Sequence, residues 1–588
     1  MSNITENLNT VTGDARSEAE DELRGRGYTL NDDGVWAGTM NGGEHGSLNS
    51  KVRLPPDFPQ VLPEVFIDRS QLSRRIPHVE KDGKICIAPS TGVLLDTSNP
   101  RGLVRDAIER ARKVILDGLS GANVDDFVEE FLSYWNVDLE EGLVSICHLS
   151  GLSRPVQLLS LVRPGKSKER MTLAADDFNA AKAWVTKVGW RIGERREAFF
   201  FIVEEAFIPP DFNEILSTRQ MLDLVLDRTD PGSYRSMQLW IRTRRLPAII
   251  LFSLPLKHDQ GHVLIGVRLE AAVGEARARA QKGFRPGHVP ASLEMNFTKD
   301  MPVTRLQVGR LDPEYLLTRG GADNDLYSRT IIVVGCGSIG SHLVERLASL
   351  GVGRLRLIDP EELSAENIHR HALGVSYIDS NKAEGMKATL SMRYPHIDVV
   401  CRDKRVEELL QTEPDFITGG DMIIIALGDE TLELRLNDIL RDRLPRLHVW
   451  VEPLGIGGHV LATGVSVNGG CFRCLFGSDP THGLYNQSAF AAPGQKFQKS
   501  FSGCAGTFTP FAGIDADRAA IEASLVAARV LRKDETENHL VSWRGYEDDF
   551  NRAGFQLSAR GKLLRVGERR RDTQFLRTDC QICSRVAE

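Results

Sequence analysis

Residues 330–340 read Thr-Ile-Ile-Val-Val-Gly-Cys-Gly-Ser-Ile-Gly, a β-branched apolar run that leads directly into a GxGxxG turn. The run predicts a buried strand, and a helical pattern over residues 341–350 follows the glycines. Gly335, Gly337 and Gly340 allow the backbone to approach phosphates. Those phosphates would lie at the helix N-terminus, where free N–H groups favour an anion. This stretch therefore predicts a nucleotide-binding unit.

A second apolar run, residues 354–358, ends at Asp359 and indicates the next strand of the same unit. A carboxylate there is placed to hydrogen-bond the ribose hydroxyls of a nucleotide. Further strand patterns alternate with helical ones, at residues 399–401, 422–427 and 447–451. This alternation predicts a mostly parallel sheet with helices on both faces, which is a Rossmann-like α/β domain over residues 321–588. Ligands of such sheets bind at the carboxyl ends of the strands.

Composition places the chain among globular proteins of several domains. Its 588 residues are 41% hydrophobic and 26% charged, which favours about three or four domains. The formal net charge of −7 gives no reason to expect nucleic-acid binding. No apolar run approaches the roughly 20 residues of a membrane-spanning helix, and the N-terminus does not resemble a signal peptide, so we expect a cytoplasmic location. Nine cysteines are too sparse for a secreted disulfide scaffold.

The first 145 residues predict an α+β domain. A charged helical pattern, two short strand patterns and a proline-rich extended run occupy residues 14–26, 34–40, 48–54 and 54–67. Residues 76–87 then read Ile-Pro-His-Val-Glu-Lys-Asp-Gly-Lys-Ile-Cys-Ile, with a strong turn signal at Asp-Gly. Helical patterns at residues 100–118 and 123–135 close the domain.

The proline-rich run, the order Pro-His-Val-x-x-x-Gly-x-Ile-Cys and the helices after it resemble the ubiquitin-conjugating enzyme fold. In that family the cysteine after Gly-x-Ile holds a ubiquitin-like protein as a thioester, and Cys86 falls on that cysteine. The family triplet His-Pro-Asn is replaced here by Ile76-Pro77-His78, so His78 occupies the place of the asparagine that steadies the oxyanion. An imidazole could donate a similar hydrogen bond. The alternative for Cys86 is a small buried hydrophobe, as most free cysteines are.

Residues 146–320 are the least informative part of the sequence. Helical and strand patterns alternate there without a nucleotide fingerprint or metal-ligand spacing. We expect a folded α/β middle domain.

The residues after the glycine turn favour one nucleotide chemistry over another. A lone GxGxxG is commonest in NAD-dependent enzymes, so a nicotinamide-dependent oxidoreductase is one alternative. In this chain, however, Asp359 is followed by Asn367, Arg370 and Lys382 and later by Asp429. A cationic cluster suits the attack of a carboxylate on the α-phosphate of ATP, because two anions must meet there. Asp429 at a strand end could hold Mg²⁺ through oxygen.

This order resembles the ubiquitin-activating and ThiF/MoeB adenylating family. The resemblance implies that the three glycines cradle ATP, that Asp359 binds ribose, and that Asn367, Arg370 and Lys382 contact the phosphates. It also implies that Asp429 serves the metal.

Two positions around this site depart from the family pattern or stay open. The family usually has glutamine where this chain has His371, to which we assign no role. The family also uses an arginine from near the N-terminal edge of the domain, and Arg310 and Arg319 are both candidates.

Two CxxC pairs, Cys471 with Cys474 and Cys580 with Cys583, predict a structural zinc site. Tetrahedral Zn²⁺ takes four thiolates, which two short knuckles can supply. The alternative is a redox pair or buried thiols. The adenylating family has such a zinc site, and the long spacing between the pairs implies an insertion.

The segment Phe-Ser-Gly-Cys-Ala-Gly-Thr at residues 501–507 places Cys504 between glycines, which is typical of an accessible thiol on a loop. Cys504 would take the activated carboxylate from AMP, and the thioester would then pass to Cys86. The alternative for Cys504 is an incidental thiol. Cys147, Cys336 and Cys401 are predicted to be structural.

The combination of a conjugating-type, a middle and an adenylating domain resembles the bacterial fused activating and conjugating proteins of the cyclic-oligonucleotide anti-phage systems, CBASS. The resemblance implies that the C-terminus of a cyclic-oligonucleotide synthase is conjugated to target lysine amines, which primes the synthase. It also implies an inactive adenylation domain in the middle and a homodimer. The alternatives are a sulfur-carrier adenylyltransferase, an oxidoreductase, and a scaffold with a relic nucleotide site.

Overall fold

The computed structural model describes residues 2–88, 92–149, 151–165, 170–243, 246–256, 261–271, 282–285, 298–441, 443–467, 469–500 and 507–583. The chain forms two compact units. The first comprises Met1–Val144, His148–Leu158 and Arg196–Gly309, and the second comprises Ser145–Cys147, Leu159–Arg195 and Arg310–Glu588. The predicted domain boundaries near residues 145 and 320 stay a prediction. Within the described ranges, no helix has both the length and the apolar character needed to cross a lipid bilayer.

The α-helices of the described residues are α1 (Ser2–Gly25), α2 (Pro100–Ser120), α3 (Asp126–Glu129), α4 (Phe131–Trp135), α5 (Phe178–Val188), α6 (Thr218–Leu226), α7 (Pro231–Arg242), α8 (Pro313–Gly320), α9 (Ser338–Leu350), α10 (Lys382–Arg393), α11 (Val406–Thr412), α12 (Pro414–Thr418), α13 (Glu430–Leu440), α14 (Gly513–Leu531), α15 (Asp548–Arg552) and α16 (Ala559–Leu563). Short 3-10 helices lie at Gly43–His45, Arg69–Gln71, Asn324–Leu326, Ala365–Arg370, Val375–Tyr377, Pro453–Gly455 and Phe472–Leu475.

The strands are β1 (Thr29–Leu30), β2 (Trp36–Asn41), β3 (Ser47–Arg53), β4 (Glu64–Ile67), β5 (Gly142–Ser145), β6 (Arg154–Val162), β7 (Arg170–Ala175), β8 (Arg191–Ile202), β9 (Ala248–Pro255), β10 (His262–Leu269), β11 (Val303–Arg310), β12 (Thr330–Val334), β13 (Arg354–Ile358), β14 (Asp398–Arg402), β15 (Met422–Ile425), β16 (Arg446–Val451), β17 (Gly457–Thr463), β18 (Phe476–Asp479), β19 (Gly483–Asn486), β20 (Lys499–Ser500), β21 (Thr507–Phe508), β22 (His539–Arg544) and β23 (Arg569–Asp572).

The N-terminal part of the first unit is an antiparallel sheet, β1-β2-β3-β4, with α2 against it. β3 alternates buried and exposed residues, as expected for a sheet with one wet face. α2 begins at an Asn99 cap and buries a stripe at helical spacing that includes Leu103, Ala107, Ala111 and Ile115. The predicted α+β domain is confirmed. The helix predicted over residues 123–135 is divided into α3 and α4.

A tight turn after β4 places Cys86. Gly83 has a φ of +86°, and a Cβ there would lie 2.1 Å from the carbonyl oxygen of Ile67, so only glycine fits. The chain then returns beside its own preceding segment, where Val79 bridges Ile85. As a result the Cys86 N–H donates to the carbonyl oxygen of His78 at 2.7 Å.

The first unit also contains strands from the middle of the chain. β8 pairs in parallel with β9 over residues 198–202, and β9, β10 and β11 follow as an antiparallel series. Phe199, Phe201, Trp240 and Phe252 belong to one buried cluster under these strands and α7. The mixture of strands and helices agrees with the expected α/β character of this segment.

The second unit is organised around β12, which lies inside an eight-stranded sheet of order β14-β13-β12-β15-β16-β17-β22-β23. The strands from β14 to β16 are parallel, and the last three are antiparallel. Every residue of β12 is buried, as a parallel strand covered on both faces requires. α9 and α14 cover one face through small and branched side chains such as Leu343 and Ala523. The predicted Rossmann-like sheet is confirmed.

The glycine turn after β12 is held from behind by His371, which is buried. Its Nε2 donates to the carbonyl oxygen of Cys336 at 2.7 Å, while its Nδ1 accepts the N–H of Leu373 at 3.0 Å. One nitrogen donates and the other accepts, so the imidazole is neutral. Burial lowers the pKa of His371 to about 4, which agrees with that neutral state.

We expect His371→Leu to lower the free energy of unfolding of the second unit, because two buried backbone groups lose their partners. Each unsatisfied group costs about 1–3 kcal/mol. Chemical denaturation of the full chain measures the change. His371→Gln should retain most of the stability, since an amide offers both a donor and an acceptor.

The same variants also test how the free energy of unfolding depends on pH. Unfolded histidine takes up a proton below a pKa of 6.5, whereas folded His371 does so only near 4, so the wild type should lose stability as pH falls through that window. His371→Gln should lose less over the same range. Equal acid sensitivity of the two proteins would contradict this account of His371.

Candidate functional site

The turn between β12 and α9 forms an anion-binding cradle. Gly335 has a φ of +93°, and a Cβ there would lie 2.6 Å from the carbonyl oxygen of Ala426. A Cβ at Gly340 would meet the carbonyl oxygen of Gly335 at 1.9 Å, whereas one at Gly337 would meet nothing within 4 Å. Within the described part of the chain, Gly337 thus faces open space at the N-terminus of α9, and no side chain there caps the free N–H groups.

Asp359 follows β13 beside this cradle and is buried. Its Oδ2 accepts the N–H of Cys336 at 2.7 Å, and its Oδ1 accepts the N–H of Glu361 at 2.8 Å. Burial raises the pKa of Asp359, and these two backbone hydrogen bonds oppose the rise. Each oxygen keeps a free lone pair, so the carboxylate can still accept a hydroxyl group.

A cavity of about 370 Å³ lies against the cradle. Gly335, Gly337, Asp359 and Asp429 line it, and so does Arg405, which the sequence did not single out. Asp429 caps α13 by accepting the N–H of Leu432 at 3.1 Å. The carboxylates and the helix N-terminus therefore face one volume, as the carboxyl ends of parallel strands predict.

Lys382 begins α10 with a buried side chain. Its Nζ lies 2.5 Å from Oε2 of Glu361, whose side chain is 70% exposed. Glu361 lines the same cavity. Among the described residues that line this cavity, Lys382 itself is absent, so its contact with the phosphates stays a prediction.

Arg370 lies at the end of the 3-10 helix Ala365–Arg370, close to Asn367. Its Nη2 donates to Oδ1 of Asn367 at 3.3 Å, and its guanidinium packs over the rings of Phe508 and Phe511 at 5.8 and 5.1 Å. The Nε atom is buried and makes no hydrogen bond to the described residues. An orphaned cationic donor of this kind fits a bound anion.

A second cavity of about 810 Å³ adjoins the first, and the two share Gly337, Glu361 and Asp429. Its wall combines apolar side chains, namely Val449, Trp450, Val451, Phe472, Phe508 and Phe511, with polar ones that include Glu430, Thr431 and Glu433. Arg370 also lines this second cavity. The site can therefore hold one ligand on one side of Asp429 and a chain of mixed polarity on the other.

Cys86 in the first unit is exposed. It opens on a cavity of about 790 Å³ that His78, Tyr134 and Phe212 also line. Four carboxylates face this cavity, those of Glu80, Asp82, Glu130 and Asp138. Exposure argues against the alternative that Cys86 is a buried hydrophobe.

His78 lies beside Cys86 with both ring nitrogens at carboxylates. Its Nε2 is 2.8 Å from Oδ2 of Asp126, and its Nδ1 is 3.0 Å from Oε2 of Glu130. Hydrogen bonds to Cys86, Glu130 and Asp126 raise the pKa of His78 to about 10, against the effect of burial. At neutral pH the ring is therefore an imidazolium.

The four cysteines of the CxxC pairs meet in the second unit, with their sulfur atoms within 4.8 Å of one another. The distances Cys471–Cys474, Cys471–Cys580 and Cys474–Cys583 are 3.9, 3.8 and 3.5 Å. A tetrahedron with metal–sulfur bonds of about 2.3 Å has edges of about 3.8 Å, so the cluster fits Zn²⁺. Hydrogen bonds from Cys474 and Cys583 lower the pKa of Cys471, which favours a thiolate.

Other predicted residues have different surroundings. Arg310 is half of a buried pair with Asp312, whose Oδ1 is 2.7 Å from its Nη2. Asp312 also caps α8, so this pair secures the helix. Arg319 lies in the last turn of the same helix. Their role at the phosphates stays a prediction. Cys504 lies outside the described residues, and its role also stays a prediction.

Sequence reasoning missed several residues of these sites, namely Glu361, His371, Asp126 and Glu130. Asp126 is 48 positions from His78, so only the fold brings the two together. His371 was visible as a departure from the family pattern. Its neutral hydrogen bonding could not be predicted without the Cys336 carbonyl beside it.

Comparisons with known proteins match the two sites to two families. The ThiF family model matches residues 316–553, and the model of prokaryotic E2 family B matches residues 35–144. The ATP-dependent ubiquitin transferase-like protein Cap2 of Pseudomonas aeruginosa is 24% identical over 78% of this chain and 81% of its own length. The protein of the same name from Escherichia coli is 22% identical over 82% of this chain and 83% of its own length.

The solved structure of Escherichia coli MccB with ATP aligns over 44% of this chain and 67% of the MccB chain. The sequence identity is 17% and the TM-score is 0.32. The ThiF segment contains the cradle, Arg370, Lys382 and Asp429, and the E2 segment contains Cys86. The chain is thus a Cap2-like fusion of a ThiF-family domain and a prokaryotic E2 family B domain, of the class of ATP-dependent ubiquitin-like activating and conjugating enzymes.

Proposed function

We propose that this protein activates the C-terminal carboxylate of another protein with ATP and conjugates it to an amine through thioesters at Cys504 and Cys86. The observation behind the proposal is the pair of cavities that meet at Gly337 and Asp429. One is bounded by an anion-binding helix terminus, and the other combines apolar side chains with polar groups and with Arg370 near the shared edge, which suits a nucleotide reaching that edge and a polypeptide tail beyond it.

In the first step a carboxylate oxygen attacks the α-phosphorus of ATP, and the bond to the leaving pyrophosphate breaks. The glycine cradle binds the phosphates, and Asp359 binds the ribose. Lys382, Arg370 and Asn367 lie around the phosphates, where the two cations reduce the repulsion between two anions. Mg²⁺ supplies further charge neutralisation when bound, and Asp429 would hold it through a carboxylate oxygen.

In the later steps the acyl group moves from phosphate to sulfur and then to nitrogen. The Cys504 thiolate attacks the acyl carbonyl and AMP leaves. The Cys86 thiolate then takes the acyl group and releases Cys504. Finally an amine attacks the Cys86 thioester, the thiolate leaves, and the amine gives up a proton.

The cavity beside Cys86 supports a lysine as the acceptor. Its four carboxylates attract an ammonium group, and the Tyr134 and Phe212 rings suit the aliphatic stem. The resemblance to the fused CBASS proteins further suggests a cyclic-oligonucleotide synthase as the activated protein and a homodimer as the working form.

We also propose that Cys471, Cys474, Cys580 and Cys583 hold a structural Zn²⁺. Four thiols in one tetrahedral arrangement, with burial of three of them, support this assignment. Such a closed set leaves no position for a substrate, so the metal would stabilise the fold and take no part in the transfer.

Adenylation predicts ATP–pyrophosphate exchange that depends on the protein whose C-terminal carboxylate is activated. Arg370→Ala and Lys382→Ala should each lower the exchange rate by about 100-fold or more, because an aligned charge at the phosphates is lost. Lys387→Ala, on the same helix as Lys382 but paired with Glu384 on the surface, is the matched control and should retain exchange. ATP with Mg²⁺ should raise the melting temperature. Protection by NAD alone would instead favour an oxidoreductase.

The order of the thioesters predicts two different variant phenotypes. Cys86→Ala should still form the Cys504 thioester and should produce no conjugate, because only the second transfer is blocked. Cys504→Ala should retain pyrophosphate exchange and form no thioester at either position. Non-reducing gels and peptide mass spectrometry distinguish these outcomes. Full conjugation by Cys86→Ala would remove Cys86 from the pathway.

A structural zinc predicts one bound Zn²⁺ per chain by elemental analysis. Its removal by a strong chelator should lower the melting temperature of the second unit, since four buried or half-buried thiols lose their common ligand. Cys580→Ser should behave like the chelated protein. Cys401→Ser, a buried cysteine outside the cluster, should retain the metal. Full metal content in Cys580→Ser would contradict the assignment.

A further inference from the structure

His78 is held more tightly than a simple hydrogen-bond donor would need to be. Asp126 Oδ2 contacts one ring nitrogen at 2.8 Å, and Glu130 Oε2 contacts the other at 3.0 Å. The Asp126 contact is a hydrogen bond, and Glu130 lies at ion-pair distance from the other nitrogen. Two carboxylates at the two nitrogens favour protonation of both, and the resulting imidazolium has no lone pair with which to accept a proton.

The backbone of His78 is fixed as well. Its φ is +61°, a left-handed conformation in which histidine and asparagine are enriched. Its N–H donates to the hydroxyl of Tyr134 at 2.8 Å, and its carbonyl accepts the Cys86 N–H at 2.7 Å. Tyr134 is buried, which raises its pKa to about 12 and keeps it a neutral phenol. The backbone of His78 thus fixes the position of both the imidazole ring and Cys86.

The groups that face His78 are mostly acidic. Cys86, Asp126 and Glu130 act on its ring directly, and their hydrogen bonds raise its pKa to about 10. Glu80, Asp82 and Asp138 lie farther round the cavity, with Lys81 as the cation among them. Lys81 is paired with Asp138 at 2.6 Å, so it does not oppose the charge on His78.

We propose that Asp126 and Glu130 are positioning residues that hold His78 as a permanent imidazolium beside Cys86, so that His78 serves acyl transfer as a fixed cation and not as a general base. The role of Cys86 in acyl transfer rests on the proposed function, whereas the charge state of His78 is independent of that function.

The chemistry of aminolysis fits a cation at this point. As the amine nitrogen attacks the Cys86 thioester, negative charge develops on the carbonyl oxygen. When the C–S bond breaks, that charge passes to the departing sulfur. The amine proton goes to water. A fixed imidazolium stabilises both negative centres, and its own protons stay in place throughout.

The first test is thermal unfolding of the full chain between about pH 6 and pH 10, for the wild type and His78→Asn. A raised pKa in the folded state means that stabilisation is complete below the unfolded value of 6.5 and is lost as pH rises towards about 10. The gap in melting temperature between the two proteins should therefore shrink with rising pH. Asn suits the left-handed backbone, so the variant should fold.

The two carboxylates are tested by Asp126→Asn and Glu130→Gln, each of which should reproduce part of this pH-dependent gap. Asp106→Asn is the matched control, because it removes a carboxylate that pairs with Arg110 on the surface of α2. A gap that stays constant or widens with pH, or an equal effect of the control, would overturn the proposal.

The second test is the discharge of the preformed Cys86 thioester by hydroxylamine, a nucleophile that stays uncharged between about pH 7 and 9. With the Cys86 sulfur acylated, Asp126 and Glu130 alone hold the His78 proton, and the wild-type rate should then show no inflection from His78 in this range. In Asp126→Asn/Glu130→Gln the rate should drop about tenfold or more as pH rises, because the imidazole then loses its proton near its ordinary pKa. Asp126 does not line the cavity, so Asp126→Asn separates positioning from amine binding.

The outcomes are distinguishable. A wild-type rate that rises with an inflection between about pH 7 and 9, absent in His78→Asn, identifies a general base and overturns the proposal. Failure of the wild type to form any Cys86 thioester overturns the proposed function, while the melting curves still decide the charge of His78.

Discussion

The close approach of two backbone segments at the glycine turn is the constraint on which the second unit depends. A Cβ on Gly340 would lie only 1.9 Å from the Gly335 carbonyl oxygen, so the lack of a side chain there lets α9 start just after β12. That start directs the free N–H groups of the helix into the space that Asp359 and Asp429 border. The parallel register of β13 and β15 with β12 then fixes both carboxylates at the same edge. The lining of the proposed nucleotide cavity follows from this arrangement.

Both units keep charge at sites where the fold excludes much of the water. The Lys382 ammonium is buried and meets an exposed carboxylate, and the Arg370 guanidinium lies on aromatic rings with one donor that no described residue accepts. His78 instead has more acceptors than a neutral ring can serve. The first two cations are therefore ready to exchange partners with an incoming anion. The third is committed to its partners, so the two halves of the protein use cations in different ways.

Local patterns allowed much of this to be predicted from the sequence. The strands at residues 330–334 and 354–358, the glycine turn and the paired cysteines depend on spacing within short segments, and the structure has them as expected. The break between α3 and α4, the Glu361–Lys382 pair and the acids around His78 were not predicted. They depend on side chains that meet only after the chain has folded. Cys504 has a recognisable sequence setting, and its role is still a prediction from that setting.

The cysteine cluster has a consequence for the unfolded chain. Its two knuckles are 109 residues apart, and the segment between them contains α14 and the strand β22 that extends the main sheet. A metal held by both knuckles closes this segment into a loop. Cross-linking a loop of about 100 residues removes roughly 4–5 kcal/mol of conformational entropy from the denatured ensemble. The thiols would then act chiefly by limiting the disorder that the chain can regain on unfolding.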